Sequence, residues 1–117
     1  MPDLRDLFRH STNTVTFEAG QTIFEEGQPG DIMYVIQEGE IDIVSHGRLL
    51  ETVGGGEILG EMALIDNEPR SASAVARTAC TLVPVTQKRF LFMVQETPFF
   101  AIDVMHLMAN RLRRLHT

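Results

Sequence analysis

All nine glycines of the chain fall between Gly20 and Gly60, and that confinement limits the fold more than any other feature. Glycine enters left-handed turns at no steric cost, so such a cluster marks reversals of an extended chain, not helix. Short β-prone runs stand around and between them. Val15 and Phe17 alternate with Thr14, Thr16 and Glu18, and Thr22-Ile23-Phe24 follows Ala19-Gly20. Gly27-Gln28-Pro29-Gly30-Asp31 is a turn by composition, and Ile32 to Gln37 reads as a buried strand. Ile41-Asp42-Ile43 alternates inward and outward, and His46-Gly47 turns into a strand from Arg48 to Val53. Ser73 to Arg77 and Thr81 to Val85 resume the pattern later, with Pro84 placing the second at a sheet edge or a strand end. Strands at such short intervals predict a mainly β fold, an eight-stranded jelly-roll or cupin-like β-roll over residues 14–86.

Helical periods flank the roll. Leu4, Leu7 and Phe8 predict a short helix within residues 1–13, and two helices are expected over 87–117. Phe90, Phe92, Met93 and Val94 fit the first of these, which stops at Thr97-Pro98. On the last helix, from about Pro98 to Leu115, Ala101, Met105, Met108, Leu112 and Leu115 form a heptad-like seam. Phe100, Val104 and Leu107 make a second apolar row beside it. One row can pack on the roll, and the other calls for a partner, a ligand or a second subunit.

The 117 residues suffice for one domain spanning 1–117, with one core and no linker. No apolar run approaches the roughly 20 residues of a membrane helix. The charged N-terminus resembles neither a secretory signal nor a transit peptide, and the single Cys80 favours a reducing, cytoplasmic setting. Net charge is −6, which argues against direct nucleic-acid binding over a broad face. The charge is unevenly spread. Residues 1–69 hold three Arg against fourteen acids (−11), whereas 70–117 hold six Arg and Lys88 against Glu96 and Asp103 (+5). Either the two halves attract each other, or the basic half holds an anion.

Chemistry concentrates in Gly60 to Ala72. A short helix starting near Glu61 would point unpaired N–H groups and a positive dipole end outward, towards an anion. Gly60 permits close backbone approach, and Arg70 can fork two hydrogen bonds onto a phosphate with help from Ser71. Glu61 suits a neutral donor nearby, such as a sugar hydroxyl. Carboxylate for hydroxyl and arginine for phosphate together describe a nucleotide. Metal binding and catalysis are disfavoured. His10, His46, His106 and His116 share no ligand spacing, and the acids are scattered through turns and outward positions.

Three ordered segments carry a family resemblance. Phe24 to Tyr34, Gly39 to Ile43, and Gly60-Glu61-Met62-Ala63-Leu64 with Pro69-Arg70-Ser71-Ala72 resemble the signatures of the cyclic nucleotide-binding domain. That domain serves catabolite-activator-type regulators, cyclic-nucleotide-dependent kinase regulatory subunits and gated channels. The resemblance implies that Glu61 accepts from the ribose 2′-hydroxyl, with Gly60 shaping the turn. It implies that Arg70 pairs with the cyclic phosphate, and that Ser71 with backbone N–H groups around Ala63 and Ala72 completes the cradle. Leu59 stands where the family often has phenylalanine, and Met62 lies within the cassette as a further ligand-binding candidate. The final helix becomes a lid, with Arg111 reaching back towards the pocket and Leu115 and His116 its latest candidates for base contact. Ser71 directly after the arginine leans towards cAMP over cGMP. The expectation is a stand-alone, non-enzymatic sensor that moves its C-terminal helices to signal to a partner. The alternatives are a dimerisation or interaction module working through the helical seam, and the sensor half of a transcription regulator.

Overall fold

Eight strands pair into two antiparallel four-stranded sheets in the computed structural model, which describes residues 4–115. In chain order the elements are α1 (Arg5–Phe8), β1 (Val15–Phe17), β2 (Thr22–Phe24), β3 (Ile32–Glu38), β4 (Ile41–Ser45) and β5 (Arg48–Val53). There follow β6 (Ile58–Leu59), α2 (Met62–Ile65), β7 (Ser73–Ala76), β8 (Cys80–Thr86), α3 (Gln87–Glu96) and α4 (Phe99–Leu115). One sheet runs β1-β8-β3-β6 and the other β2-β7-β4-β5, the jelly-roll arrangement that the glycine pattern predicts.

The inner strands of the first sheet, β3 and β8, are buried on both faces, and they therefore carry apolar residues pointing both ways. On β3, Ile36 faces Leu82, Ile41 and Leu59 inside the roll, whereas Met33 and Val35 join Val83 and Val85 beneath the helices. Phe100, Val104 and Leu107 of α4 cover that outer face together with Leu4 and Phe8 of the N-terminal segment. Phe100 meets Phe8 and Phe90 edge-on, with ring centroids 6.3 and 5.2 Å apart. The second sheet has one covered face, and Ile41 and Ile43 accordingly alternate with the more polar Asp42.

Two expectations need correction. Pro84 lies within β8, which is flanked by β1 and β3, and not on an edge strand. Its ladder with β1 ends at Leu82, so on that side the missing N–H costs no hydrogen bond. The seam of α4 also divides. Met105 and Leu112 are exposed, at 53% and 58%, whereas Met108 packs against the core. His116 and the side chain of Leu115 lie outside the described residues.

Candidate functional site

Where β6 ends, the chain turns sharply through Gly60, at φ +70°. A Cβ at this position would run into Nη1 of Arg70, so the turn and the missing side chain are needed together. Glu61 then sits at the N-cap of α2, but its side chain does not cap the helix. It is only 6% exposed and turns towards α4.

Arg70 is fixed by the first glycine turn. Its N–H donates to Gln28 O and its carbonyl accepts from Gly27 N–H, both at 2.8 Å. The guanidinium then passes directly over Gly30, where any Cβ would collide with it. Nη1 donates to Gly60 O at 3.1 Å and Nη2 to Ile32 O at 2.8 Å. The guanidinium carbon stands 4.2 Å from the Phe24 ring centroid, a cation–π contact. Among the described residues no carboxylate reaches ion-pairing distance of Arg70, which is 9% exposed. Burial pushes its pKa down, and the fields of Tyr34, Asp31 and Glu61 oppose that. An arginine begins so high that it stays cationic at neutral pH.

Arg111 of α4 closes the site from the opposite side. Its Nη1 donates to Glu61 Oε1 at 2.9 Å and its Nη2 to Ile58 O at 2.6 Å. Its Nε lies 3.2 Å from Glu51 Oε2, near enough to pair as charges but not aligned for a hydrogen bond. Arg114, one turn on, donates to Glu51 Oε1 at 3.0 Å and approaches Glu57 at 3.5 Å. A carboxylate offers about four lone-pair positions, so Glu61 can still accept another donor while holding Arg111.

A cavity of about 90 Å³ lies between these groups. It brings together Leu59, Gly60, Glu61, Met62, Ala63, Arg70, Ser71, Ala72 and Arg111, the residues that the sequence places in the cassette and opposite it. The N–H of Ala63 already donates to Gly60 O at 3.2 Å, so it serves the turn before it serves any ligand. Phe24, Ile43 and Pro69 also line the cavity; the sequence reading has them in the family signatures but gives them no role at the site. Phe24 had a signal, since an aromatic at the end of a short strand beside a glycine turn has one face to offer. The acids that hold α4, Glu51 and Glu57, had none. A larger space of about 470 Å³ adjoins the first and shares Ile43, Glu61, Met62, Ser71, Ala72 and Arg111 with it. Among the described residues no cluster of His, Cys, Asp and Glu could hold a metal ion, and no helix is long and apolar enough to cross a membrane.

The comparisons with known proteins point the same way. Residues 14–97 match the family model for the cyclic nucleotide-binding domain. A CRP-like cAMP-activated global transcriptional regulator of Mycobacterium tuberculosis is 32% identical over 105 residues, covering 86% of this chain and 47% of the regulator. A cGMP-dependent protein kinase of Plasmodium berghei is 32% identical over 96 residues, covering 82% of this chain and 11% of the kinase. The catabolite activator protein of Thermus thermophilus superposes with a TM-score of 0.77 at 33% identity, over 86% of this chain and 50% of that one. The chain thus spans about half the length, or less, of these three relatives. With its roll, its glycine turn and its cassette all accounted for, the chain belongs to the cyclic nucleotide-binding domain family.

Proposed function

We propose that residues 1–117 act as one non-enzymatic cyclic nucleotide sensor, with cAMP preferred moderately over cGMP. The observation that carries this reading is Arg70: a buried guanidinium held by two carbonyls and a ring, with no carboxylate at pairing distance among the described residues, at the wall of a cavity. A buried charge of that kind is stabilised by an anion that completes its hydrogen bonds. In this reading the cyclic phosphate takes that place beside Ser71, and the ribose 2′-hydroxyl donates to Glu61. Ser71 supports the lean towards cAMP, although relatives named for cAMP and for cGMP both match the chain. Because Arg111 grips Glu61 from α4, a ligand entering between Glu61 and Arg70 acts on the C-terminal helices, which pass the signal to a partner.

Isothermal titration of the wild type and Arg70→Ala with cAMP and cGMP tests the reading. The variant is expected to lose about 2–5 kcal/mol of binding free energy, as when one partner of a buried charged pair is removed. Equal affinity for wild type and variant overturns the assignment.

A second reading, a dimerisation module, draws on the exposed stripe of Ile102, Met105 and Leu112 along α4. It expects a dimer with or without nucleotide that Met105→Glu converts to monomer. Sedimentation velocity in the presence and absence of cAMP separates the two, because a monomer under both conditions removes this reading.

A further inference from the structure

The first glycine turn grips Arg70 by its backbone, makes room for its side chain, and is itself tied down by one acidic residue. Gly27, at φ +86°, donates to Arg70 O, and Gln28 O accepts from Arg70 N–H. Immediately before them, Glu26 N–H donates to Ser73 Oγ at 2.9 Å, three residues beyond Arg70. The Glu26 carboxylate reaches the turn between β4 and β5. That turn is His46-Gly47, with φ +52° and +76°, closed by the pair Ser45 and Arg48. The His46 N–H donates to Glu26 Oε1 at 3.0 Å, and the Ser45 hydroxyl to Glu26 Oε2 at 3.1 Å. The His46 ring is exposed, with Nδ1 3.5 Å from the same Oε2. The His46 N–H, before any other cause, holds the Glu26 carboxyl below its ordinary pKa, so it is an anion at neutral pH. Glu26 lines neither of the two spaces beside Arg70.

We infer that Glu26 is a positioning residue for Arg70: by fastening the glycine turn to the β4–β5 hairpin, it holds the guanidinium where the cyclic phosphate would meet it. This rests on the reading of the chain as a cyclic nucleotide sensor. Glu25, Gly27, Gln28 and Pro29 are exposed, so packing does little to hold the turn in place. Two charge-assisted hydrogen bonds from neighbouring residues of the hairpin do it instead. A group already held in its binding position needs less ordering when the ligand arrives, so an anchor can set affinity without touching the ligand.

Dissociation constants for cAMP, measured on the wild type, Glu26→Ala, Arg70→Ala and the variant carrying both substitutions, test this. Glu26→Ala alone is expected to weaken binding about tenfold, because two hydrogen bonds to a charged group are lost. In the Arg70→Ala background it is expected to change nothing further. A general loosening of the fold would instead weaken binding by the same factor in both backgrounds. Equal affinity of Glu26→Ala and wild type, or equal factors in the two backgrounds, overturns the inference and leaves the sensor reading intact. Should Glu26→Ala not fold, Ser45→Ala takes its place in the same cycle, with a loss of about threefold expected and the same two overturning results. A wild type that does not bind cAMP removes the sensor reading, and this inference with it.

Discussion

At the scale of single residues, the site depends on two glycines that make room for one arginine. Gly30 carries no positive φ that would demand glycine, and its requirement is one of space: Arg70 lies where a Cβ would be. Gly30→Ala is therefore expected to push the guanidinium off Phe24 and off the carbonyls of Gly60 and Ile32 while the roll keeps its sheets. The check pairs a circular-dichroism melt with a cAMP titration. A modest loss of stability with at least a tenfold loss of affinity fits the account, whereas unchanged affinity shows that Arg70 does not need that channel. The need for glycine in the turn was legible from composition, since Gly27 to Asp31 reads as a turn on sight. Its reason was not legible. Only the folded chain brings residue 30 under residue 70, through the paired hydrogen bonds of Arg70 with Gly27 and Gln28.

At the scale of elements, α4 shows why a helix can be read correctly and its job only in part. The row Phe100, Val104 and Leu107 stands out by period alone, and it is the row that packs on the sheet. The pairing of Arg111 and Arg114 with Glu51, Glu57 and Glu61 spans 50 to 63 positions, and no local pattern encodes it. The two-residue strand β6 escaped for a related reason, being too short to show alternation and made a strand only by its ladder with Tyr34 and Val35. The two arginines differ in burial, with side chains 18% and 44% exposed. Arg111→Ala is expected to lower stability by about 1.5–3 kcal/mol, the range for hydrogen bonds to charged groups, because it strands a buried Glu61. Arg114→Ala is expected to cost under about 1 kcal/mol, as exposed pairs do. Urea unfolding of both variants decides the matter, and equal costs would mean that α4 is held by its apolar row alone.

At the scale of the molecule, the charge division between the two parts of the sequence resolves at one place. The acidic part supplies Glu51, Glu57 and Glu61, and the basic part supplies Arg70, Arg111 and Arg114. Mutual attraction is realised there, and the buried Arg70, which the proposed reading gives to an anion, lines a cavity together with Glu61 and Arg111. Two of the arginines tie α4 to the acids of the roll, and the third is held by two carbonyls and the Phe24 ring. In the sensor reading proposed above, occupancy of the site would act on the placement of α4 through Arg111, which bonds Glu61 from that helix. Coupling between a site and a distant element is a free energy, and removing the linking contact should abolish it without abolishing binding. Hydrogen exchange measures it directly, because local opening of a helix sets the exchange rates of its amides. In the wild type, saturating cAMP is expected to slow exchange both in residues 60–72 and along α4. In Arg111→Ala it is expected to slow exchange in residues 60–72 only, with α4 exchanging as fast as in the free protein. Equal protection of α4 in the two proteins would show that the helix senses the nucleotide by direct contact with Met108 and Leu112, and that Arg111 fastens the lid without informing it.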